Sequence, residues 1–495
     1  MELRPVVNLA AALACALSCA RAQEKAPRAA PPAAAPAVRN LLIVTLDTVR
    51  ADHLGCYGYF RDTTPVLDAL ARESLRFTRC LAPIAQTTPS HASLFTGVLP
   101  FEHGVLSNFF TRPDDERELL ALRTSPTLQT LAQALRARGF RTGGFVGATP
   151  VKRFTGLAAG FDAWSEPETA RRAASEVIAD AIAFIDDGAG APFLAWIHLF
   201  DAHGPIRPPF PPQEYLGRYR TDPKLKAWLE ERRFPAEVAG EHTGSIPPSQ
   251  AHNLYDGALR FLDDQLDPLV RRLRADDLWE STAIVVVGDH GHGLGQHGYL
   301  SHGICWDEQF RVPLLVRVPG VEPRTVDPLC SLIDVVPTVA GLIPVLADAA
   351  PLQQWRGADV LDPDFEPRPQ FGMSPIEKGI TSLTTTRFKL LRRRDRPPEL
   401  YDLQADPFEL ADVAAAHPEV VTRLSRLLAH EIDRQKQSEK LHRAGMADEG
   451  RIDPRLLEEL RALGYTGTDE EDDPPAPPDP ARRGEGGASR RPGGE

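Results

Sequence analysis

The chain has 495 residues, 42% of them hydrophobic and 25% charged, which fits a globular protein with one large domain and a smaller one. Its net charge of −12, from 56 basic and 68 acidic residues, argues against broad nucleic-acid binding. An anionic substrate remains compatible, because a bound metal reverses the local field.

Residues 1–22 read as an export signal: Val6 to Leu17 is mostly apolar, and Ala20-Arg21-Ala22 offers a small-residue cleavage site. The expected location is periplasmic or extracellular, with a lipid anchor through Cys19 as the variant reading. Residues 23–37 form a Pro/Ala linker. No later apolar run is long enough to span a bilayer, so the mature chain is expected to carry no transmembrane segment. Cys56, Cys80, Cys305 and Cys330 follow the cleavage site, with spacings that fit neither a zinc ribbon nor a C-x-x-C redox site.

From Val38 the chain alternates buried strands with helices. Leu41 to Leu46 is a continuous apolar run, as are Phe193 to Leu199, Ala283 to Val287 and Leu314 to Val318, with a shorter run at Gly144 to Val146. Helical patterns open at Thr64-Pro65 and at Ser125-Pro126, the second closed by Gly139. A longer one runs through Leu254, Leu262 and Leu273. This alternation predicts an α/β fold, a large mostly parallel sheet sandwiched by helices. Residues 38–345 form the expected catalytic domain, with a Pro-rich, charged insertion at 205–250. Residues 346–465 form a smaller C-terminal α+β subdomain. Its strands are expected at Thr386 to Leu391 and Glu399 to Leu403. A helix should end near His430, and a last one uses Leu456 to Leu463. Residues 466–495 read as a disordered tail.

The chemistry-bearing residues collect where strands end. Asp47 follows the first strand, Asp201 and His203 follow the Phe193 strand, and Asp289-His290 follow the Ala283 strand. Ligands of open α/β sheets bind beyond the carboxyl ends of strands. Thr87-Thr88-Pro89 places a hydroxyl at a helix mouth, with Thr88 suited to the N-cap and Pro89 to the first helical position. Asp47, Thr87, Asp289 and His290 together suit one divalent cation, zinc or manganese ahead of calcium. Such a cation would make the Thr87 oxygen a nucleophile. His91, His203 and His302 are then expected to bind substrate oxygens or to move the leaving-group proton. Glycines crowd residues 288–303, where backbone could approach a ligand closely. A second ion among Asp201, His203 and His302 is the less favoured arrangement, and His297 and His103 are weaker candidates still.

These segments resemble the sulfatase family, within the wider group of alkaline-phosphatase-like metal hydrolases. The resemblance rests on Leu46-Asp47-Thr48-Val49-Arg50-Ala51-Asp52-His53-Leu54-Gly55, the Thr87 to Gly97 stretch and Pro100-Phe101-Glu102-His103-Gly104-Val105. It continues through Asp201-Ala202-His203-Gly204-Pro205, Gly288-Asp289-His290-Gly291, His302 to Pro313, Asp334-Val335-Val336-Pro337-Thr338 and Glu399 to Pro407. It covers residues 38–465 in order. It implies a large α/β sandwich with a small C-terminal subdomain, and an anionic ester as substrate. The chain departs from the formylglycine sulfatases at the nucleophile. Their Cys-x-Pro-x-Arg or Ser-x-Pro-x-Arg is here Thr87-Thr88-Pro89-Ser90-His91, so formylglycine is not expected. Thr48 replaces a usual acidic residue, His290 a usual asparagine, and His302 a usual lysine. A hydrated aldehyde expels sulfate by breaking its own carbon–oxygen bond, which a threonine ester cannot do. Within the family, the residues therefore lean towards phosphate-type esters, with sulfate esters retained. The alternatives are a phospho-group transferase that uses Thr87, and a non-catalytic sulfatase-like binding protein.

Overall fold

The computed structural model describes residues 38–108, 110–111, 117–118, 122, 127–188, 190–204, 211–240, 244–343, 353–376 and 379–443. The export signal, Cys19, the 23–37 linker, Ser125-Pro126, the expected 456–463 helix and the tail lie outside the described residues.

The main sheet has nine strands: β1 Asn40–Leu46, β2 Leu75–Leu81, β3 Arg141–Val146, β4 Ala163–Ser165, β5 Phe193–Leu199, β6 Thr282–Gly288, β7 Arg311–Arg317, β8 Arg324–Val326 and β9 Cys330–Ser331. They lie in the order β8-β2-β7-β6-β1-β5-β3-β4, with β9 beside β2. The pairings are parallel except those of β7 with β6 and β2. Every residue of β1 is buried, as a strand covered on both faces requires.

Side-chain alternation along β1 sorts the helices into two layers. Leu41 and Ile43 join one core cluster with residues of α2 (Thr87–Thr96), α3 (Leu131–Arg136) and α6 (Val335–Leu342). Leu42, Val44 and Leu46 join another with α1 (Pro65–Ala71), α4 (Ala174–Asp186) and α5 (Pro248–Arg274). Helix α3 starts later than Ser125-Pro126 suggested. Thr130 caps it by accepting from Gln133 N, and the Gln133 side chain returns the bond to Thr130 N. The helix stops before Gly139, whose φ of +83° suits glycine.

Strands β10 Gln370–Met373, β11 Thr381–Thr384, β12 Phe388–Arg392 and β13 Glu399–Asp402 form a four-stranded antiparallel sheet. Helix α7, Pro418–Arg443, packs Leu424 and Leu428 against Leu390 and Leu400 of that sheet. It runs past the expected end at His430, because neither Gly nor Pro occurs between Pro418 and Gly445. Glu102, fully buried beneath it, accepts from Arg434 at 3.0 Å and Arg356 at 2.9 Å, which ties α7 to the main body. Cys56, Cys80, Cys305 and Cys330 form no disulfide. Among the described residues, no helix is long and apolar enough to cross a membrane.

Candidate metal centre and active site

Strand register places the two carboxylates side by side. β1 and β6 run parallel with Leu46 opposite Gly288, so Asp47 and Asp289 leave the sheet at the same level. Helix α2 then brings Thr87 over that rim. Its first residue is Thr87 and its N-cap is Gln86, two positions earlier than Thr88-Pro89 suggested. The reason lies outside the helix. Gln86 Oε1 accepts from Asn108 N at 2.8 Å, and Asn108 Oδ1 accepts from Thr88 N at 2.7 Å. This reciprocal clasp takes a donor that a bound anion would otherwise use. The Thr88 hydroxyl donates to Pro150 O at 2.5 Å, so it caps nothing in its own helix.

Each of the four expected ligands has one polar atom engaged or anchored and one without a partner. Asp289 Oδ1 accepts from Thr48 N at 3.0 Å and from His290 N at 2.7 Å, while Oδ2 has no hydrogen-bond partner. His290 Nδ1 donates to Gly291 O at 2.9 Å, leaving Nε2 unpartnered 3.5 Å from Asp289 Oδ2. Asp47 Oδ2 accepts from His198 Nε2 at 3.0 Å, and Oδ1 is unpartnered. Thr87 Oγ1, on a fully buried residue, is unpartnered as well. Ligand atoms of Asp47, Asp289 and His290 lie within 4.8 Å of one another. Buried polar atoms without partners are costly. Three of them belong to the Asp47–Asp289–His290 cluster and the Thr87 hydroxyl lies beside the Asp47 carboxyl, so together they form a cradle for a cation.

The electrostatics agree. Burial pushes the Asp47 carboxyl well above its usual range, with the Thr87 hydroxyl and Asp289 partly offsetting the rise. Asp289 is pushed up to about 7, first by burial and then by the Asp47 charge. Burial holds the nearby imidazoles neutral: His91 falls to about 3, His198 and His290 to about 4, and His302 to about 3. Two buried carboxyls among neutral rings resist ionising together, and a divalent ion would displace their protons and balance both charges.

The other expected residues divide. His203 and His302 meet at the site, with their Nε2 atoms 3.1 Å apart. Each directs Nδ1 to a backbone carbonyl, Gly204 for His203 and Ala85 for His302. His91 serves helix α2 instead of facing outward. Its Nδ1 donates to Thr87 O at 2.7 Å, and its Nε2 accepts from Thr45 Oγ1 at 3.0 Å. Thr45 in turn accepts from Trp196 Nε1 at 2.9 Å. Both ring nitrogens are therefore spent, and His91 fixes the Thr87 backbone.

Asp201 turns away: both its oxygens accept from Ala174 N, capping α4. The less favoured second-ion set of Asp201, His203 and His302 is thus not assembled. His297 stacks on Trp306 and pairs with Glu308 at 3.0 Å. His103 bonds Ser93 at 3.0 Å. The 288–303 glycines serve chain packing: a Cβ on Gly291 would lie 2.1 Å from Glu308 O.

Two residues escaped the sequence reading. His198 sits inside an apolar strand run and looks like core. His292 packs its ring 5.8 Å from His302 and leaves Nδ1 unpartnered. The signal for His198 is the cost of a polar ring in a wholly buried strand, which demands a partner.

The family model for sulfatases matches residues 39–345. This chain belongs to the sulfatase family. The sulfatase chain is 24% identical over 420 residues to an ulvan-active sulfatase from Formosa agariphila, covering 75% of this chain and 76% of the relative. It is 26% identical over 450 residues to human arylsulfatase A, covering 78% and 86% respectively. A phosphonate monoester hydrolase from Agrobacterium radiobacter shares its fold, with a TM-score of 0.61 and 19% identity over 84% of this chain and 100% of that one. As a member of this family the chain is an ester hydrolase.

Proposed function

We propose that this chain is an exported, metal-dependent hydrolase of a sulfate or phosphate-type ester, with Thr87 as nucleophile. One observation carries the reading: Asp47, Asp289 and His290 form a buried cluster with the Thr87 hydroxyl beside Asp47, and each of the four keeps a buried polar atom that lacks a hydrogen-bond partner. Two carboxylates, a hydroxyl and an imidazole fit zinc or manganese. A bound ion would draw charge from the Thr87 oxygen and from the ester oxygens. Export is supported by the residue 1–22 pattern.

Thr87 Oγ1 attacks the central phosphorus or sulfur atom, and the bond from that atom to the ester oxygen breaks. The neutral His203–His302 pair, its Nε2 atoms 3.1 Å apart, takes up the proton that the Thr87 hydroxyl loses and passes it to the departing oxygen. Helix α2 and the His91 bond to Thr87 O fix the nucleophile in place. Water then attacks the same central atom, restoring the Thr87 hydroxyl and releasing the anion. Threonine carries no second oxygen on its own carbon with which to expel the group. That favours a phosphate-type ester, where attack at the central atom serves both steps. The phosphonate monoester hydrolase fold relative is in keeping with this preference.

The test is turnover of matched aryl sulfate, phosphate monoester and phosphate diester probes by zinc- or manganese-loaded protein. Thr87→Ala should lower kcat on the best probe by about 10³-fold or more. Full turnover by Thr87→Ala would remove the nucleophile assignment.

A further inference from the structure

Asp47 is held through Oδ2 by the ring of His198. We propose that His198 is a positioning residue for the cation site, holding Asp47 so that a single oxygen, Oδ1, faces the ion. The inference rests on the metal-centre reading above and extends it by one residue.

Parallel pairing of β1 and β5 sets His198 opposite Thr45, so His198 and Asp47, two residues beyond Thr45, share one face of the sheet. His198 is fully buried. Its Nδ1 accepts from Gly147 N at 3.4 Å. A neutral imidazole that accepts at one nitrogen carries its proton on the other. Nε2–H therefore donates to Asp47 Oδ2 at 3.0 Å, and Oδ1 remains without a protein partner.

The competing role is ligation by His198 itself, since ring nitrogens of His91 and His198 lie within 4.8 Å of an Asp289 oxygen. The hydrogen bonds exclude it. His198 has one nitrogen on the Gly147 amide and a proton on the other, and His91 has both nitrogens taken.

Gly147 supports the arrangement by close approach. A Cβ there would stand 3.0 Å from His198 O and 3.4 Å from Phe200 Cβ. Glycine lets the backbone after β3 reach the His198 ring, fix its tautomer and, through it, fix the carboxylate. Groups that orient a metal ligand in this way govern metal affinity.

The experiment titrates the metal-stripped full chain with Zn²⁺ and with Mn²⁺ against a competing chelator. The proteins are wild type, His198→Gln and His198→Leu. Gln keeps an N–H near the Nε2 position, and Leu fills similar volume without a donor. His198→Leu should lose about 10–100-fold in metal affinity, and His198→Gln should recover most of it. Nitrogen chemical shifts of histidine-labelled protein give a second readout, with the His198 signal identified by its loss in His198→Leu. They should report a neutral ring protonated at Nε2. Wild-type affinity in His198→Leu would overturn the proposal. A folded His198→Gln no better than Leu would also overturn it, as would an Nδ1-protonated His198. Wild type that takes up neither ion would instead overturn the metal-centre reading, while the tautomer still judges the hydrogen bond.

Discussion

Asp289 divides its work between two oxygens. Oδ1 holds the backbone of Thr48 and His290, and Oδ2 faces the cradle. Thr48 has φ +57°, an unfavourable region for a β-branched residue. It is kept there by Asp289 and by the Tyr255 hydroxyl, which donates to Thr48 O at 2.8 Å. Asp289→Asn can retain the Oδ1 bonds while removing one of two adjacent buried charges. Metal-free Asp289→Asn should melt about 1–2 °C above wild type, the scale of roughly 1 kcal/mol in a protein of this size. It should also lose the stabilisation that zinc or manganese gives wild type. Thermal melts with and without metal check both halves, and an unchanged metal response would contradict the ligand role. Asp47, Asp289 and His290 were legible because each closes an apolar strand run. His198 was not, because a histidine within such a run reads as core until its partner is seen. For His91 the position was legible and the direction was not. Its two hydrogen bonds go to Thr87 O and Thr45, and only packing of α2 on the sheet brings Thr45 within reach.

Helix α4 shows how one element can borrow its cap from another. Its own N-cap residue, Ala173, has no side-chain oxygen to offer. Asp201, just past β5, supplies both carboxylate oxygens to Ala174 N at 3.2 and 3.1 Å. A terminal Asp in a Asp-Ala-His sequence invites a ligand assignment, and the choice between ligand and cap depends on where a helix 27 positions earlier comes to rest. Asp201→Ala should destabilise the fold by about 1–2 kcal/mol, the usual cost of a lost cap. Metal affinity should stay at the wild-type level. Urea unfolding and metal titration measure the two separately, and a large loss of affinity with little loss of stability would return Asp201 to the site. Element boundaries were less legible than element identity for the same reason. The start of α2 is decided by the Gln86–Asn108 clasp, whose halves lie 22 residues apart.

Across the whole molecule, the mostly parallel, helix-covered sheet was foreshadowed by apolar runs alternating with helices, whereas the antiparallel insertion of β7 between β6 and β2 was not. Periodicity carries no sign for strand direction. The burial that builds this sheet also sets its response to acid. His91, His198, His290 and His302 fall from 6.5 to about 3 or 4, and His203, His252 and His292 fall well below 6.5, burial leading in every case. With folded values depressed, the unfolded chain takes up protons first as pH drops through 6.5, and the folded chain refuses them until about 4. Stability therefore falls with falling pH across that window, by up to about 1.4 kcal/mol per pH unit for each fully responding ring. Asp289 acts in the opposite sense. Its folded value is raised from 3.8 to about 7, so its contribution is lost as pH rises between those limits. The imidazoles outnumber the raised carboxyls, so metal-free protein should melt at steadily lower temperature below pH 6. A divalent ion must displace the Asp289 proton, so the rise in Tm on adding zinc or manganese should be largest above pH 7 and shrink towards pH 5. Paired melts from pH 4 to 8 test the two trends together. A metal-dependent rise that grew towards pH 5 would mean that the ion binds away from Asp289.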